Sequence, residues 1–185
     1  MTGYVPPTPK PSVSKPNFSV DPDGNVYVTG TYRLSVDFDP GPGREVKTSP
    51  GDEDDCFVAK YDRDGNFQWV RTWGGSRNNQ GPLDVKAIQG GVYVLGYLSG
   101  RVDFDPFSSA GDLEGEGRSE NVYLCKYNTD GDFQWARNWE RGITNGDTNC
   151  WPQVYTDDAG MVYARSDDNW DKFQLRCFSA AGDSQ

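Results

Sequence analysis

Short apolar runs separated by turn residues recur along the 185-residue chain. The runs at 26–29, 56–61 and 67–73 are rich in β-branched and aromatic residues, which is typical of strands. Between the last two lies Asp-Arg-Asp-Gly at 62–65, where glycine provides the positive φ that a hairpin turn requires. The pattern therefore predicts antiparallel strands joined by tight turns.

Four blocks of this pattern occur twice, and each second copy lies 66 residues after the first. The blocks lie at 26–28 and 92–94, 36–40 and 102–106, 57–61 and 123–127, and 65–69 and 131–135. A third, partial copy begins at 153 and lacks the Val-Asp-Phe-Asp-Pro block of the other two. Three strands are expected in it, at 153–155, 161–164 and 173–178, and its fourth strand is expected to be missing. Repeats of this kind fold as units that need their neighbours.

The strand runs at 56–59 and 122–125 are apolar at every position. A strand with one face in water would alternate apolar and polar residues, so we expect both faces of these sheets to be covered. Repeated four-stranded antiparallel units with both faces covered predict the blades of a β-propeller, and a β-solenoid is the alternative. About two and a half blades are present, too few to close a ring of four to eight, so we expect a partial or open propeller.

The repeat also sets the expected domain boundaries. Residues 1–17 are rich in proline and predict an extended linker, although the stretch 2–5 could add a strand to a sheet edge. Residues 18–83 are expected to form the first blade repeat, 84–150 the second and 151–185 the partial third.

The chain is acidic, with a formal net charge of −10, and it contains no histidine. A phosphate backbone would be repelled, so we expect no nucleic-acid partner. Without histidine the usual general base and the Ser-His and Cys-His pairs are missing, so we expect no enzymatic activity. No apolar run is long enough to cross a bilayer, which argues against membrane insertion, and no signal-peptide pattern is visible.

Four cysteines, Cys56, Cys125, Cys150 and Cys177, match no zinc-binding or redox spacing. Cys56, Cys125 and Cys177 lie in apolar strand-like runs, which favours buried small hydrophobic residues over disulfides. The disulfide state and the redox compartment stay open at this point.

The motifs of the first unit resemble a known repeat. Gly-Asn-Val-Tyr-Val-Thr-Gly at 24–30, Val-Asp-Phe-Asp-Pro-Gly-Pro-Gly at 36–43, Cys-Phe-Val-Ala-Lys-Tyr-Asp at 56–62 and Gly-Asn-Phe-Gln-Trp at 65–69 are similar to the bacterial seven-bladed β-propeller repeat (SBBP). The resemblance covers nearly everything from residue 18 onward. It implies the propeller fold and an extracellular or cell-surface location, and it implies no catalytic residues.

Two pairs of carboxylates are candidate ligands for a cation: Asp37 with Asp39, and Asp103 with Asp105. Residues two apart on a strand point to the same face, and paired carboxylates beside glycine-rich loops suit Ca²⁺. The favoured alternative is that each aspartate caps a turn through its own backbone, because a calcium loop would carry a denser run of ligands. No other cofactor is expected.

Asp-x-Asp-Gly at 21–24 and at 62–65 resembles half of an EF-hand loop. Both stretches lack the downstream glutamate of that loop. They also fall where hairpins are needed, so both are predicted to be turns.

Trp69, Trp73, Trp135 and Trp139 occupy matching places in the two units. They could form a platform on which sugar rings stack, but the matched positions favour packing between blades. Trp170 lies in a polar loop and is the better candidate for an exposed ring.

These observations predict a non-enzymatic repeat module with a structural or binding role and a protein or glycan ligand. The alternative is a carbohydrate-active enzyme or a sugar-binding propeller, although no pair of carboxylates stands out for glycoside hydrolysis. Open blade faces and strand edges favour other blades, or self-association, as the partner.

Overall fold

The computed structural model describes residues 10–50, 53–74, 81–105, 112–114, 121–140, 152–168 and 172–184. Within these ranges the regular structure consists of β-strands, which form three larger antiparallel sheets and two small hairpins. The all-β prediction is confirmed. The same ranges contain no helix that is long and apolar enough to span a membrane. The stretch 2–5, which could add a strand, lies outside them.

The first sheet is built from the first unit of the repeat. Its strands are β1 Ser12–Val20, β2 Val26–Arg33, β5 Asp55–Tyr61 and β6 Phe67–Trp73. They lie in the order β1-β2-β5-β6 with antiparallel neighbours. Between β2 and β5 in the chain, β3 Ser35–Asp37 and β4 Val46–Thr48 form a small separate hairpin. The strands predicted at β2, β5 and β6 are confirmed.

The first strand begins earlier than the sequence pattern predicts. Residues up to 17 are predicted to be linker, whereas β1 already pairs with β2 from its first residue. Pro16 fits because the register shifts between Ser14 and Asn17, and proline is tolerated at a bulge on an edge strand. Phe18 is 73 % exposed, so backbone pairing with β2, and not burial of an apolar pattern, accounts for this strand.

The second sheet repeats the arrangement of the first. Its strands are β7 Gly81–Ile88, β8 Gly91–Leu98, β11 Asn121–Tyr127 and β12 Phe133–Glu140. They lie in the order β7-β8-β11-β12, again with antiparallel neighbours. At the place of the first small hairpin, β9 Arg101–Asp103 pairs with β10 Asp112–Glu114. Two copies of one sequence pattern thus give two sheets of the same connectivity.

The third sheet has three antiparallel strands, β13 Gln153–Thr156, β14 Val162–Asp168 and β15 Lys172–Phe178, in that order. The three strands predicted in the partial copy are confirmed. Ser184 forms an isolated bridge with Phe178. Phe133 of β12 pairs with Tyr127 at the matching place in the second sheet, so this bridge marks where a fourth strand would begin.

The second sheet is covered on both faces, as predicted. Val92 and Val94 belong to an apolar cluster shared with the first sheet, whereas Tyr93 and Leu95 belong to one shared with the third. All four side chains are 0 % exposed. Alternate residues of a strand point to opposite faces, so the continuous apolar run of β8 serves two interfaces at once.

The first sheet is covered by the second sheet on one face. Tyr27 and Val58 belong to the cluster shared with the second sheet. The opposite face carries a separate cluster that includes Tyr32, Phe38 and Phe57, and the members of this cluster all come from the first unit. The two faces of this sheet therefore differ in what lies against them.

Candidate functional site at the joints between sheets

Four tryptophans that are predicted to pack between units are buried. Trp69, Trp73, Trp135 and Trp139 are 8, 3, 7 and 8 % exposed, respectively. Each contacts the sheet that follows its own along the chain, so the prediction of packing is confirmed for these rings. Trp170, predicted to be exposed, lies outside the described residues.

We call the contact between two successive sheets a joint. In the first joint, Nε1 of Trp69 and Nζ of Lys60 both donate to the backbone carbonyl of Thr129, each at 3.0 Å. The ring of Tyr27 lies edge-on to Trp69 with centroids 5.9 Å apart, and Nζ of Lys60 lies 5.6 Å from the centroid of Tyr27. Two rings and one cation of the first sheet thus hold the turn 128–131 of the second.

Arg71 adds a further contact to the same turn. Its Nε donates to the carbonyl of Gly131 at 2.7 Å, and its guanidinium carbon lies 5.6 Å from the ring centroid of Trp69. Gly131 has a φ of +82°, and a Cβ there would lie 2.7 Å from Cδ2 of Trp69. Real Cβ atoms essentially never come that close to another atom, so the tryptophan requires glycine in the turn beneath it.

The second joint repeats the first with the equivalent residues. Nε1 of Trp135 (3.1 Å) and Nζ of Lys126 (3.0 Å) both donate to the carbonyl of Ala180. The ring of Tyr93 lies 5.8 Å from that of Trp135 and 5.4 Å from Nζ of Lys126. Gly182 has a φ of +86°, and its Cβ would lie 2.6 Å from Cδ2 of Trp135. One constellation therefore joins the first sheet to the second and the second to the third.

The outer strands β6 and β12 each carry a second tryptophan four residues after the first, and this ring also packs against the next sheet. Trp73 stacks on Tyr127 with centroids 6.2 Å apart. Trp139 lies 5.8 Å from the ring of Phe178 and donates from Nε1 to Oγ of Ser166 at 3.2 Å. Aromatic pairs at such distances stabilise beyond the area that they bury. The outer strands β6 and β12 both read Trp-x-Arg-x-Trp. Together with Lys60 of β5 or Lys126 of β11, their side chains contact the next sheet, and we call this half of a joint the reaching half.

The cysteines behave as buried apolar residues in two of the four cases. Cys56 and Cys125 are buried and Cys177 is half-buried, and within the described residues these three form no disulfide. Burial raises the pKa of the Cys125 thiol, so it stays protonated at neutral pH and is a poor nucleophile. Cys150 lies outside the described residues.

The four candidate calcium ligands lie at the two small hairpins: Asp37 and Asp103 end the strands β3 and β9, and Asp39 and Asp105 follow two residues later. Oδ1 of Asp37 accepts from the amides of Asp39 (3.2 Å) and Glu45 (2.9 Å). In the second unit, Oδ1 of Asp103 accepts from the amide of Asp105 at 2.8 Å. Among the described residues, no group of three or more His, Cys, Asp or Glu side chains could hold a metal ion. The calcium site stays a prediction, and these contacts are those of turn caps.

Both Asp-x-Asp-Gly stretches are turns, as predicted. The amide of Asn25 donates to Oδ1 of Asp21 at 2.8 Å, and the amide of Asn66 donates to Oδ1 of Asp62 at 2.9 Å. Hydrogen bonds from the side chain and the amide of Asn66 lower the pKa of Asp62. Burial opposes ionisation of Asp21, but hydrogen bonds led by those from Asn25 outweigh it, so its pKa is also lowered.

Asp55 is a buried carboxylate at the start of β5 that the sequence pattern does not distinguish. It is 8 % exposed. Burial raises its pKa to about 6, and the charge of Glu53 adds to the shift. The matching position in the second sheet holds Asn121, which is 2 % exposed. The signal in the sequence was the position directly before an apolar run, because a strand covered on both faces buries its first residue as well.

A cavity of about 310 Å³ opens beside the first joint. It is lined by Arg71, Phe104, Asp105, Tyr127, Gly131, Asp132 and Phe133. The lining thus combines charged side chains of both signs with aromatic rings, contributed by the first and second units. Such a surface suits a polar ligand that also has an apolar face.

No protein-family model matches the chain, and no curated protein was found that is similar to it in sequence. What the chain does must therefore be inferred from its own geometry.

Proposed function

We propose that the chain is a non-enzymatic β-propeller repeat module with a structural or binding role in a secreted or cell-surface bacterial protein. The observation that carries the proposal is the joint that occurs twice with the same residue types at the same positions. In this proposal each sheet is a blade. The resemblance to the SBBP repeat supports the blade assignment and the location.

A repeated joint suits a scaffold because each sheet recognises the next one along the chain. In repeat proteins, stability is close to a sum of unit stabilities and nearest-neighbour interface terms. Lys60 and Trp69 bind a backbone carbonyl of the following turn. The joint therefore depends on the backbone shape of that turn and on the glycine in it. Successive units can therefore stack whatever their other surface residues are.

The absence of histidine from the sequence supports a role other than catalysis. The carboxylates of Asp21, Asp37 and Asp62 accept backbone hydrogen bonds in turns. The thiol of Cys125 is buried and its pKa is raised. These groups are engaged in holding the fold, and general acid–base or nucleophilic catalysis needs such groups within reach of a substrate.

Hydrogen exchange in the variant Trp135→Ala tests the proposal. Loss of this ring removes the hydrogen bond to Ala180 and the ring contact with Phe178 from the second joint, so we expect faster amide exchange in β14 and β15, with exchange in β2 and β5 unchanged. The matched control is Gln134→Ala, which changes the exposed neighbour on the same strand. Trp69→Ala should instead speed up exchange at the turn 128–131.

The opposite pattern would contradict a scaffold of neighbouring sheets. If exchange in β14 and β15 is the same in Trp135→Ala as in the parent, the contacts of Trp135 do not hold the third sheet. If exchange rises equally in all three sheets, the sheets do not act as units.

The cavity of about 310 Å³ favours one second candidate, a sugar-binding propeller. Asp132 is exposed and Arg71 is half-buried at its wall, and both could hydrogen-bond hydroxyl groups beside an aromatic ring. A glycan array probed with the full chain tests this candidate. Binding that is lost in Asp132→Ala and kept in Asn66→Ala, the same turn position in the first unit, would support it. An array without binding would exclude it for the glycans displayed.

A further inference from the structure

Each joint has a receiving half, which we call the front face of a sheet. In the second sheet, the front face contains Phe104 and Tyr127, on which Trp73 packs. The first sheet has Phe38 and Tyr61 at the matching positions. The hydroxyl of Tyr127 donates to the carbonyl of Phe104 at 3.0 Å, and that of Tyr61 donates to the carbonyl of Phe38 at 2.9 Å. The first sheet therefore builds the same receiving surface as the second.

The two front faces differ in exposure. Tyr127 and Val94 of the second sheet are 0 % exposed, because the first sheet lies against them. Their counterparts Tyr61 and Val28 are half-buried. The front face of the first sheet is thus formed but less covered than its counterpart.

The turn at the end of each front face shows the same difference. Gly65 and Gly131 have nearly the same φ, +84° and +82°. A Cβ added at Gly131 would collide with Trp69, whereas one added at Gly65 would meet no atom within 4 Å. The space that a tryptophan fills above the second turn is open above the first.

Charge also matches between the two halves of a joint. The reaching half contributes Lys60 and Arg71, whose nitrogens bind carbonyls of the turn 128–131. The corresponding turn of the first sheet carries Asp62 and Asp64 on either side of Arg63, and the guanidinium of Arg63 donates to the carbonyl of Asp23 at 3.0 Å. The turn therefore carries one net negative charge, which favours the lysine and arginine of a reaching half.

We propose that the front face of the first sheet, with the turn 62–66, is a docking surface for a further sheet of this repeat type. That sheet would present Trp-x-Arg-x-Trp on its outer strand and lysine on the strand beside it. The proposal rests on the proposed function, since it takes the joint as the unit of assembly. A second copy of the chain is not the partner, because its strands β6 and β12 already occupy joints of their own.

An added sheet of known sequence tests the proposal. A copy of residues 81–140 is fused ahead of Met1 in the full chain, so that residues 1–11 join the added sheet to β1. This connection is longer than the stretch 74–80 that joins β6 to β7. We expect amide exchange at Gly65 and Asn66 to slow by at least about tenfold. The control carries Trp135→Ala in the added copy only, with exchange of its own β11 amides reporting that the added sheet is folded.

The outcomes separate this proposal from the proposed function. Slow exchange at Gly65 with the added tryptophan, and parent-like exchange without it, supports the docking surface. If a folded added sheet leaves exchange at Gly65 unchanged while the turn 128–131 stays protected, the docking surface is wrong and the joint stands. If the amides of the turn 128–131 exchange as fast as those of 62–66 in the parent, both the docking surface and the proposed scaffold function are wrong. A dimer of the parent that protects Gly65 would make a second copy the occupant and overturn the assignment.

Discussion

The first and second sheets have the same connectivity and much the same sequence, yet they lie in different surroundings. The second sheet has a sheet against each face, whereas the first has the second sheet against one face and a cluster of its own residues on the other. Tyr127 is 0 % exposed and its counterpart Tyr61 is half-buried. A repeated sequence therefore sets the shape of a sheet, but the neighbouring sheet sets how much each residue stabilises it.

This difference predicts where substitutions matter. In a stack of units, stability comes from the units and from the interfaces between neighbours. A residue in a joint should therefore contribute more than the same residue type at a face without a neighbouring sheet.

Trp69→Ala and Trp135→Ala should be the most destabilising of these substitutions. Each removes a buried ring, a hydrogen bond to the next turn and the partner of a cation. We expect each to lower the free energy of unfolding by about 3–5 kcal/mol. Urea-induced unfolding followed by circular dichroism measures the loss.

The control for these variants is Gln134→Ala, because Gln134 is exposed and directly precedes Trp135. It should change the free energy of unfolding by about 0.5 kcal/mol or less. A tryptophan variant that unfolds like this control would place the ring at the surface and favour the sugar-platform interpretation.

The repeat made much of the fold and of the joint predictable from sequence. Apolar runs with glycine turns gave β2, β5 and β6 and their copies, and the matched places of the four tryptophans gave their packing between units. The receiving partners could not be predicted, because Trp69 and Trp135 bind backbone carbonyls, of Thr129 and Ala180. Every residue has a backbone carbonyl, so the side chains of Thr129 and Ala180 give no sign in the sequence that these residues accept the hydrogen bonds.

The start of β1 could not be predicted for a different reason. Its large side chains are exposed, with Phe18 at 73 % and Val20 at 50 %. The strand is held by its pairing with β2 and by contacts to the second sheet, where Asn17 binds the carbonyl of Leu83 and Ser19 accepts from the amide of Ala87. Such backbone pairing and polar contacts cannot be recognised from an alternation of apolar and polar residues.

The buried acid Asp55 makes the first sheet sensitive to pH at a position where the second sheet carries Asn121. Its pKa is raised to about 6 by burial and by Glu53, so the folded state binds the proton more tightly than the unfolded chain. The stabilisation is fully present below about pH 4 and is lost as the pH rises through about 6. The difference between this pKa and the ordinary value of about 4 for an aspartate corresponds to about 2–3 kcal/mol.

The variant Asp55→Asn tests this pH dependence by giving the first sheet the residue of the second. Its free energy of unfolding relative to the parent should rise by about 2–3 kcal/mol between pH 4 and pH 7. Urea unfolding of both proteins at several pH values measures the difference. A difference that stays constant over this interval would mean that Asp55 titrates at its ordinary pKa.

Calcium should have the smallest effect. Asp37 and Asp103 already accept backbone amides in both units, so we expect at most weak binding at the pairs Asp37/Asp39 and Asp103/Asp105. Millimolar calcium should then stabilise by less than about 2.7 kcal/mol, the value for a hundredfold excess over Kd. Melting temperatures in calcium and in chelator measure it, and equal values would leave these residues as turn caps.

The most direct test of the difference between the two sheets is the pair of variants Gly65→Ala and Gly131→Ala. Both place alanine at nearly the same positive φ, so the backbone strain of about 1–2 kcal/mol is common to the two. Only at Gly131 does the new Cβ collide with a tryptophan of the preceding sheet. Gly131→Ala should therefore lower the free energy of unfolding by at least about 1 kcal/mol more than Gly65→Ala. Equal losses in the two variants would contradict the joint as the contact that holds the sheets together.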